Sequence, residues 1–197
     1  MKKIVVTLAV VILTALTANF ATAENLTGKL GATGRIGFTL PADSEWDIAG
    51  PIDSDTGFIF GGGLIYGINR NLAAEVDVTH SVYDLRYDRF SKDGTAHVTD
   101  LSLGVQWRFA SSRPFTPYVG AGLSILFNDY TDSDVDNTLG VNFKGGIDYF
   151  ITSRVALNAE LKGVLSGSAD MHYLPAYDRG SFDPSSVSGL FGVRYFF

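Results

Sequence analysis

The chain has no cysteine among its 197 residues, which removes disulfide bridges and every form of thiol chemistry. Histidine is scarce as well: His80, His97 and His172 are the full set. His80 and Ser81 are adjacent, so in a strand they point to opposite faces and share no proton. A His-x-Ser spacing would keep both on one face, but position 82 is valine. No nucleophile–base pair can be assembled from these residues, so enzymatic chemistry is not expected. Basic residues are outnumbered, 15 Lys and Arg against 21 Asp and Glu. With a pI near 4.9 and no basic cluster, nucleic acid is excluded as a partner. Beyond residue 23 no apolar run approaches the roughly 20 residues of a membrane-spanning helix.

Two motif-like stretches also lack what their chemistry requires. "DYTDSDVDN" (129–137) spaces Asp132, Asp134 and Asp136 like a calcium loop. Asn137 stands where that loop needs glycine and Phe143 where it needs glutamate, so the stretch reads as a solvated acidic loop and no metal is expected. "GGG" (61–63) and "VGAG" (119–122) lack the Lys-Ser/Thr of a phosphate loop, and no cofactor is expected. Their plain role is to leave space beside Arg35 and Tyr118.

What is present begins with an export signal. Lys2 and Lys3 precede the apolar run "IVVTLAVVILTAL", and Ala21-Thr22-Ala23 forms a small-x-small cleavage site. Residues 1–23 therefore read as a cleaved signal peptide, and residues 24–197 as one mature domain. That domain is rich in glycine, tyrosine and phenylalanine. If it enters a membrane it does so as strands, and only a closed barrel satisfies strand backbone groups in lipid.

Alternation of apolar and polar residues is the dominant pattern, and it recurs in eight segments. "KLGATGRIGFTL" sets Leu30, Ala32, Ile36 and Phe38 against Lys29, Thr33 and Arg35. "LAAEVDVTHSVY" sets Leu72, Ala74, Val76 and Val78 against Glu75, Asp77 and Thr79. "HVTDLSLGVQWRF" sets Leu101, Leu103, Val105 and Trp107 against Asp100, Ser102 and Arg108. "SVSGLFGVRYFF" sets Val187, Phe191, Val193, Tyr195 and Phe197 against Ser188, Gly192 and Arg194. Each run is about 10 to 13 residues long, close to the roughly 9–11 that a tilted strand needs to cross hydrocarbon.

Connections alternate between short (69–71, 110–116, 151–154) and long (41–56, 86–96, 128–138, 166–186). Short turns at one rim and long loops at the other is the layout of an eight-stranded antiparallel transmembrane β-barrel. Aromatic residues beside the short turns fit an interfacial girdle. The polar faces carry Lys29, Arg35, Arg108, Lys144, Lys162 and Arg194 together with Glu75, Asp77, Asp100, Asp148 and Glu160. A lysine or arginine facing lipid at the midplane costs ~2–4 kcal/mol. A one-residue slip would expose several at once and exceed a typical ~5–15 kcal/mol of stability, so the charged face must point inward. In a lumen that eight strands leave only wide enough for side chains, these charges should pair into a plug. A water-filled general pore is therefore not expected.

The segments "GRIGFTLPADS" (34–44), "LAAEVDVTH" (72–80), "RPFTPYVGAGLS" (113–124) and "GGIDYFITSRVALNAELKGV" (145–164) resemble the small eight-stranded outer-membrane proteins, most of all the OmpW-type branch. OmpA-like and OmpX-like barrels stay open as alternatives, since the paired prolines and the "TP" step of the OmpW pattern are missing. The resemblance implies a site in the outer membrane of a Gram-negative bacterium, among lipid and lipopolysaccharide. It also implies that "FGVRYFF", with Tyr195 and Phe197, is the signal read by the barrel-assembly machinery. The activity it implies is passive uptake of small hydrophobic solutes. Trp46, Tyr83, Met171, Tyr173, Leu174, Tyr177 and Phe182 are then the candidate apolar lining. Two other readings stand beside it: these rings only pack the long loops together, or the barrel is a structural or surface-contact protein without transport.

Overall fold

A computed structural model describes residues 26–42, 44–46, 50–87, 94–109, 114–130, 133–167, 169–172 and 179–197. The strands, in chain order, are β1 (Leu30–Pro41), β2 (Ser44–Trp46), β3 (Gly50–Ser54), β4 (Gly57–Gly67), β5 (Leu72–Tyr87), β6 (Gly94–Arg108), β7 (Phe115–Tyr130), β8 (Ser133–Val135), β9 (Thr138–Phe150), β10 (Val155–Ser166), β11 (Ala169–His172), β12 (Arg179–Phe182) and β13 (Ser186–Phe196). Eight of them, β1, β4, β5, β6, β7, β9, β10 and β13, pair antiparallel in a closed circuit. The first and last strands close it, from Gly31↔Phe196 to Pro41↔Ser186. No barrel strand is left as an open edge, so the backbone groups are satisfied within the wall.

The period-2 pattern decides which side of the wall each residue takes. Outward side chains form an apolar belt: Leu103 is 62% exposed, Leu161 67% and Phe191 63%. The inward set includes Arg35, Glu75, Asp148 and Arg194, all buried. Tyr66, Trp107, Tyr195 and Phe197 stand outward beside the short turns or the chain end, as an interfacial girdle requires. Phe197 also donates its N–H to Leu30 O at 2.9 Å, which ties the last residue to the first barrel strand.

The long connections are more ordered than loops. β2 and β3 form within 41–56, β8 within 128–138, and β11 and β12 within 166–186. These short strands pair in the order β3-β2-β12-β11-β8, and their ends join the long strands at β3–β5 and β7–β8. A second ring thus continues the barrel at the long-loop end. β5, β6 and β7 run through into it without interruption, with 16, 15 and 16 residues. On the opposite side the wall changes strand at a common level: β1 gives way to β2, β4 to β3, β10 to β11, and β13 to β12.

Candidate functional site

The lumen is stacked in layers, and each layer follows from inward positions of several strands. At the short-turn end, Leu26, Ile65, Ala73, Phe150, Ala156 and Phe196 form a buried apolar cluster. The Phe150 and Phe196 rings stack with centroids 5.8 Å apart. Leu26 reaches this cluster because the chain turns just ahead of β1. Gly28 adopts φ 75°, which glycine takes without strain, and donates its N–H to Gly67 O at 2.7 Å. The cluster corks that end of the barrel.

Above it lies an interlocked ionic layer. Arg194 places Nη1 2.6 Å from Asp148 and Nη2 3.1 Å from Glu75. Its Nε donates to Thr33 Oγ1 at 3.0 Å. Arg35 donates to Glu160 at 2.9 Å and also pairs with Glu75. Its Nη2 lies 3.2 Å from Asp77 Oδ1, an ionic contact without hydrogen-bond alignment. Lys144 Nζ bridges Glu75 at 2.6 Å and Asp77 at 3.0 Å, and Arg108 holds Asp148 at 2.6 Å.

Neutral side chains complete the layer. Gln106 donates to Glu75, Tyr118 Oη donates to Glu160 at 2.6 Å, and Asn158 donates to Tyr118 Oη and Asp148. The Tyr118 ring lies under both Arg108 and Arg194, with centroid distances of 5.6 and 5.5 Å. Four bases face four acids here, so the layer is neutral and each carboxylate has a cation against it.

A separate pair stands nearer the long-loop end. Lys162 Nζ sits 2.8 Å from Asp100 Oδ2 and 3.3 Å from Ser102 Oγ, to which it donates. Asp100 and Lys162 line a cavity of about 20 Å³ together with Thr79, Ser81, Ser186 and Ser188 on its polar side. Ile59, Tyr83, Val98, Leu126, Val164 and Pro184 form its apolar side.

Ten of the eleven charges expected in the lumen are buried there. Lys29 is the exception: it is half-buried, one residue ahead of β1, outside the ionic layer. Among the described residues the lumen therefore buries five bases and five acids and not the six against five of the sequence pattern. Of the apolar candidates, Tyr83 lines the cavity from β5, buried in the lumen and not on a loop. Trp46, Met171 and Phe182 belong to the second ring through the pairs Gly180↔Trp46, Met171↔Val135 and Ala169↔Phe182; their side chains lie outside the described part. Tyr173, Leu174 and Tyr177 lie outside the described residues altogether. Tyr195 and Phe197 face outward with ring centroids 5.2 Å apart.

His80 faces outward, its ring Nδ1 2.9 Å from Thr99 Oγ1, while Ser81 faces inward and donates to Val98 O at 3.2 Å. The two stand on opposite sides of the wall. Ile59, Val98, Leu126 and Val164 were not legible as site residues. Their inward parity marked them, but an apolar residue in a charged face carries no chemical signal of its own.

The family model "Outer membrane protein beta-barrel domain" matches residues 7–195. An uncharacterized outer-membrane protein of Sinorhizobium fredii, y4mB, is 30% identical over 115 residues, 53% of this chain and 49% of that protein. The chain thus spans about half the length of this relative. Two solved structures show the same fold. The outer membrane protein OprG of Pseudomonas aeruginosa aligns with a TM-score of 0.71 and 15% identity, covering 90% of this chain and 98% of that one. The Escherichia coli outer membrane protein W aligns with a TM-score of 0.52 and 19% identity, covering 87% and 98%.

Proposed function

We propose, on the premise that this chain belongs to the outer membrane protein β-barrel domain family and resides in the Gram-negative outer membrane, that it takes up small apolar solutes. They enter the extracellular half of the lumen and leave sideways into the bilayer. The observation that carries this reading is the layering of the lumen. A neutral ionic layer and an apolar cork block the periplasmic half, so a straight aqueous path is not available. Above the block lies a cavity whose apolar side is Ile59, Tyr83, Val98, Leu126 and Val164. Beside it, between β1 and β2, between β12 and β13, and between β10 and β11, the wall changes strand. At the step between β12 and β13 the wall is held by Ala42 N–H to Ser185 O at 2.8 Å and Ser166 N–H to Ser185 Oγ at 3.1 Å, and the ends of strands are where local opening costs least.

The test compares entry of a small apolar aromatic and of a sugar into cells with and without the protein. Faster entry of the aromatic alone is expected, and Val164→Trp, which fills the cavity, should abolish the gain. Equal entry of both solutes with and without the protein would overturn the reading. The barrel would then be a structural wall whose second ring makes surface contacts. For the chain end we propose that Tyr195 and Phe197 are read by the barrel-assembly machinery. Deleting Phe197 should lower the amount of folded barrel in the outer membrane, and wild-type levels would count against it.

A further inference from the structure

The polar and apolar sides of the cavity ask for different groups on the same molecule. We infer that the solute this barrel handles best is an apolar body bearing one hydroxyl, a small alcohol or phenol, and not a bare hydrocarbon. The inference rests on the uptake reading above and narrows its substrate class.

Asp100 is buried, 5% exposed, and only Oδ2 meets Lys162. Its Oδ1 is buried without a hydrogen-bond partner among the described residues. A carboxylate oxygen in that state calls for a donor. Lys162 carries three N–H donors; one points to Asp100 and one to Ser102, which leaves a third. The pair thus offers one acceptor and one donor side by side. A hydroxyl matches both, donating to Asp100 Oδ1 and accepting from Lys162. A ketone only accepts, and a hydrocarbon does neither. A carboxylate brings negative charge against Asp100, and an ammonium brings positive charge against Lys162. The volume agrees: about 20 Å³ holds one water or one hydroxyl group. A solute hydroxyl reproduces the hydrogen bonds a water makes there, whereas a methyl group forfeits them. The cavity as it stands seats the hydroxyl alone, so the carbon body enters as Ile59, Val98, Leu126 and Val164, which close the same cavity, move apart.

The experiment measures entry of phenol and of toluene, with a sugar as control, into cells with the wild-type protein, with Asp100→Leu/Lys162→Met, and without the protein. Two hydrogen bonds to charged groups separate the two solutes, so the phenol-to-toluene ratio should rise at least roughly tenfold over cells lacking the protein. In the double variant the ratio should fall back to that of cells without the protein. If both solutes enter faster but equally, the hydroxyl preference is overturned while apolar uptake stands. If the preference survives in the double variant, the pair is not its source and the inference is overturned. If neither solute is accelerated, both readings fall. Should the double variant not reach the outer membrane, binding to the purified wild-type barrel decides. Phenol must then shift the methyl resonances of Val98, Leu126 and Val164 at concentrations where toluene does not, and equal shifts would overturn the inference.

Discussion

The two halves of the lumen hold the same kinds of residue and behave as different materials. In the periplasmic half each carboxylate meets a cation, and three of the four cations touch more than one acid: Arg194 holds Glu75 and Asp148, Lys144 holds Glu75 and Asp77, and Arg35 reaches three. Among the described residues of the extracellular half one buried pair, Lys162 and Asp100, stands beside a cavity, and Asp100 Oδ1 has no hydrogen-bond partner among them. Among the buried described residues, each half balances its bases with its acids. Charge balance therefore does not close a lumen; interlocking does, because a shared cation cannot leave one acid without stranding another.

The largest effect should come from breaking the interlock. Arg194→Leu takes one cation from Asp148, leaving it Arg108, and one from Glu75, leaving it Arg35 and Lys144; the layer is left one positive charge short, and one of the two cations over Tyr118 is gone. We expect a loss of about 3–5 kcal/mol, read as a lower urea midpoint for the barrel refolded in lipid vesicles. An unchanged midpoint would mean that the periplasmic layer is no more interlocked than the pair above it. Next in size is a charge on the wrong side of the wall that both halves share. Leu161 is 67% exposed in the lipid-facing belt, between inward Glu160 and Lys162. Leu161→Arg should cost ~2–4 kcal/mol in the same assay. A variant as stable as wild type would place Leu161 near the interface instead of within hydrocarbon.

Glycine spacing gives a finer contrast between the halves. A Cβ on Gly146 would lie 2.5 Å from Tyr118 Oη and 2.6 Å from Ala159 O, inside the ionic layer. On Gly140, farther along β9 toward the long loops, it would lie 2.8 Å from Leu165 O and 3.2 Å from Ser166 Cβ. Gly146→Ala should therefore cost ~1–3 kcal/mol, and Gly140→Ala less. Equal losses in urea titrations would show that the two halves are packed alike.

Much of this was legible because a barrel wall enforces one rule at every residue. Inward or outward follows from parity, so Arg35, Glu75, Asp148 and Arg194 declared themselves through the energy of exposing them to lipid. Lys29 obeyed the parity but not the placement: it falls before β1 begins, and a period-2 pattern does not mark where a wall ends. The second ring was hidden for a related reason. Asp, Ser, Gly and Pro in 41–56 and 166–186 are turn-forming residues, and they mask the short β2, β3, β11 and β12 segments, whose pairing comes from neighbouring strands. The cavity was hidden too, since Ile59, Val98, Leu126 and Val164 share the inward parity but, as apolar residues, carry no chemical signal that sets them apart.

The smallest effect should come from removing the extracellular pair whole. Lys162→Met alone leaves Asp100 buried and uncompensated, so it should destabilise the barrel. Adding Asp100→Leu removes the stranded charge, and replacing a buried pair by apolar residues is often neutral or better. The double variant should therefore return to within about 1 kcal/mol of wild type in the vesicle assay. The same exchange in the periplasmic half should not succeed. Arg194→Leu with Glu75→Leu still leaves Asp148 short of one partner, and it takes one acid each from Arg35, which keeps Glu160 and Asp77, and from Lys144, which keeps Asp77. Rescue above and no rescue below is the signature of one isolated pair over one interlocked layer. Rescue in both places would mean that the periplasmic ions act as independent pairs, and the block to a straight path would then rest on the apolar cork of Leu26, Ile65, Phe150 and Phe196 alone.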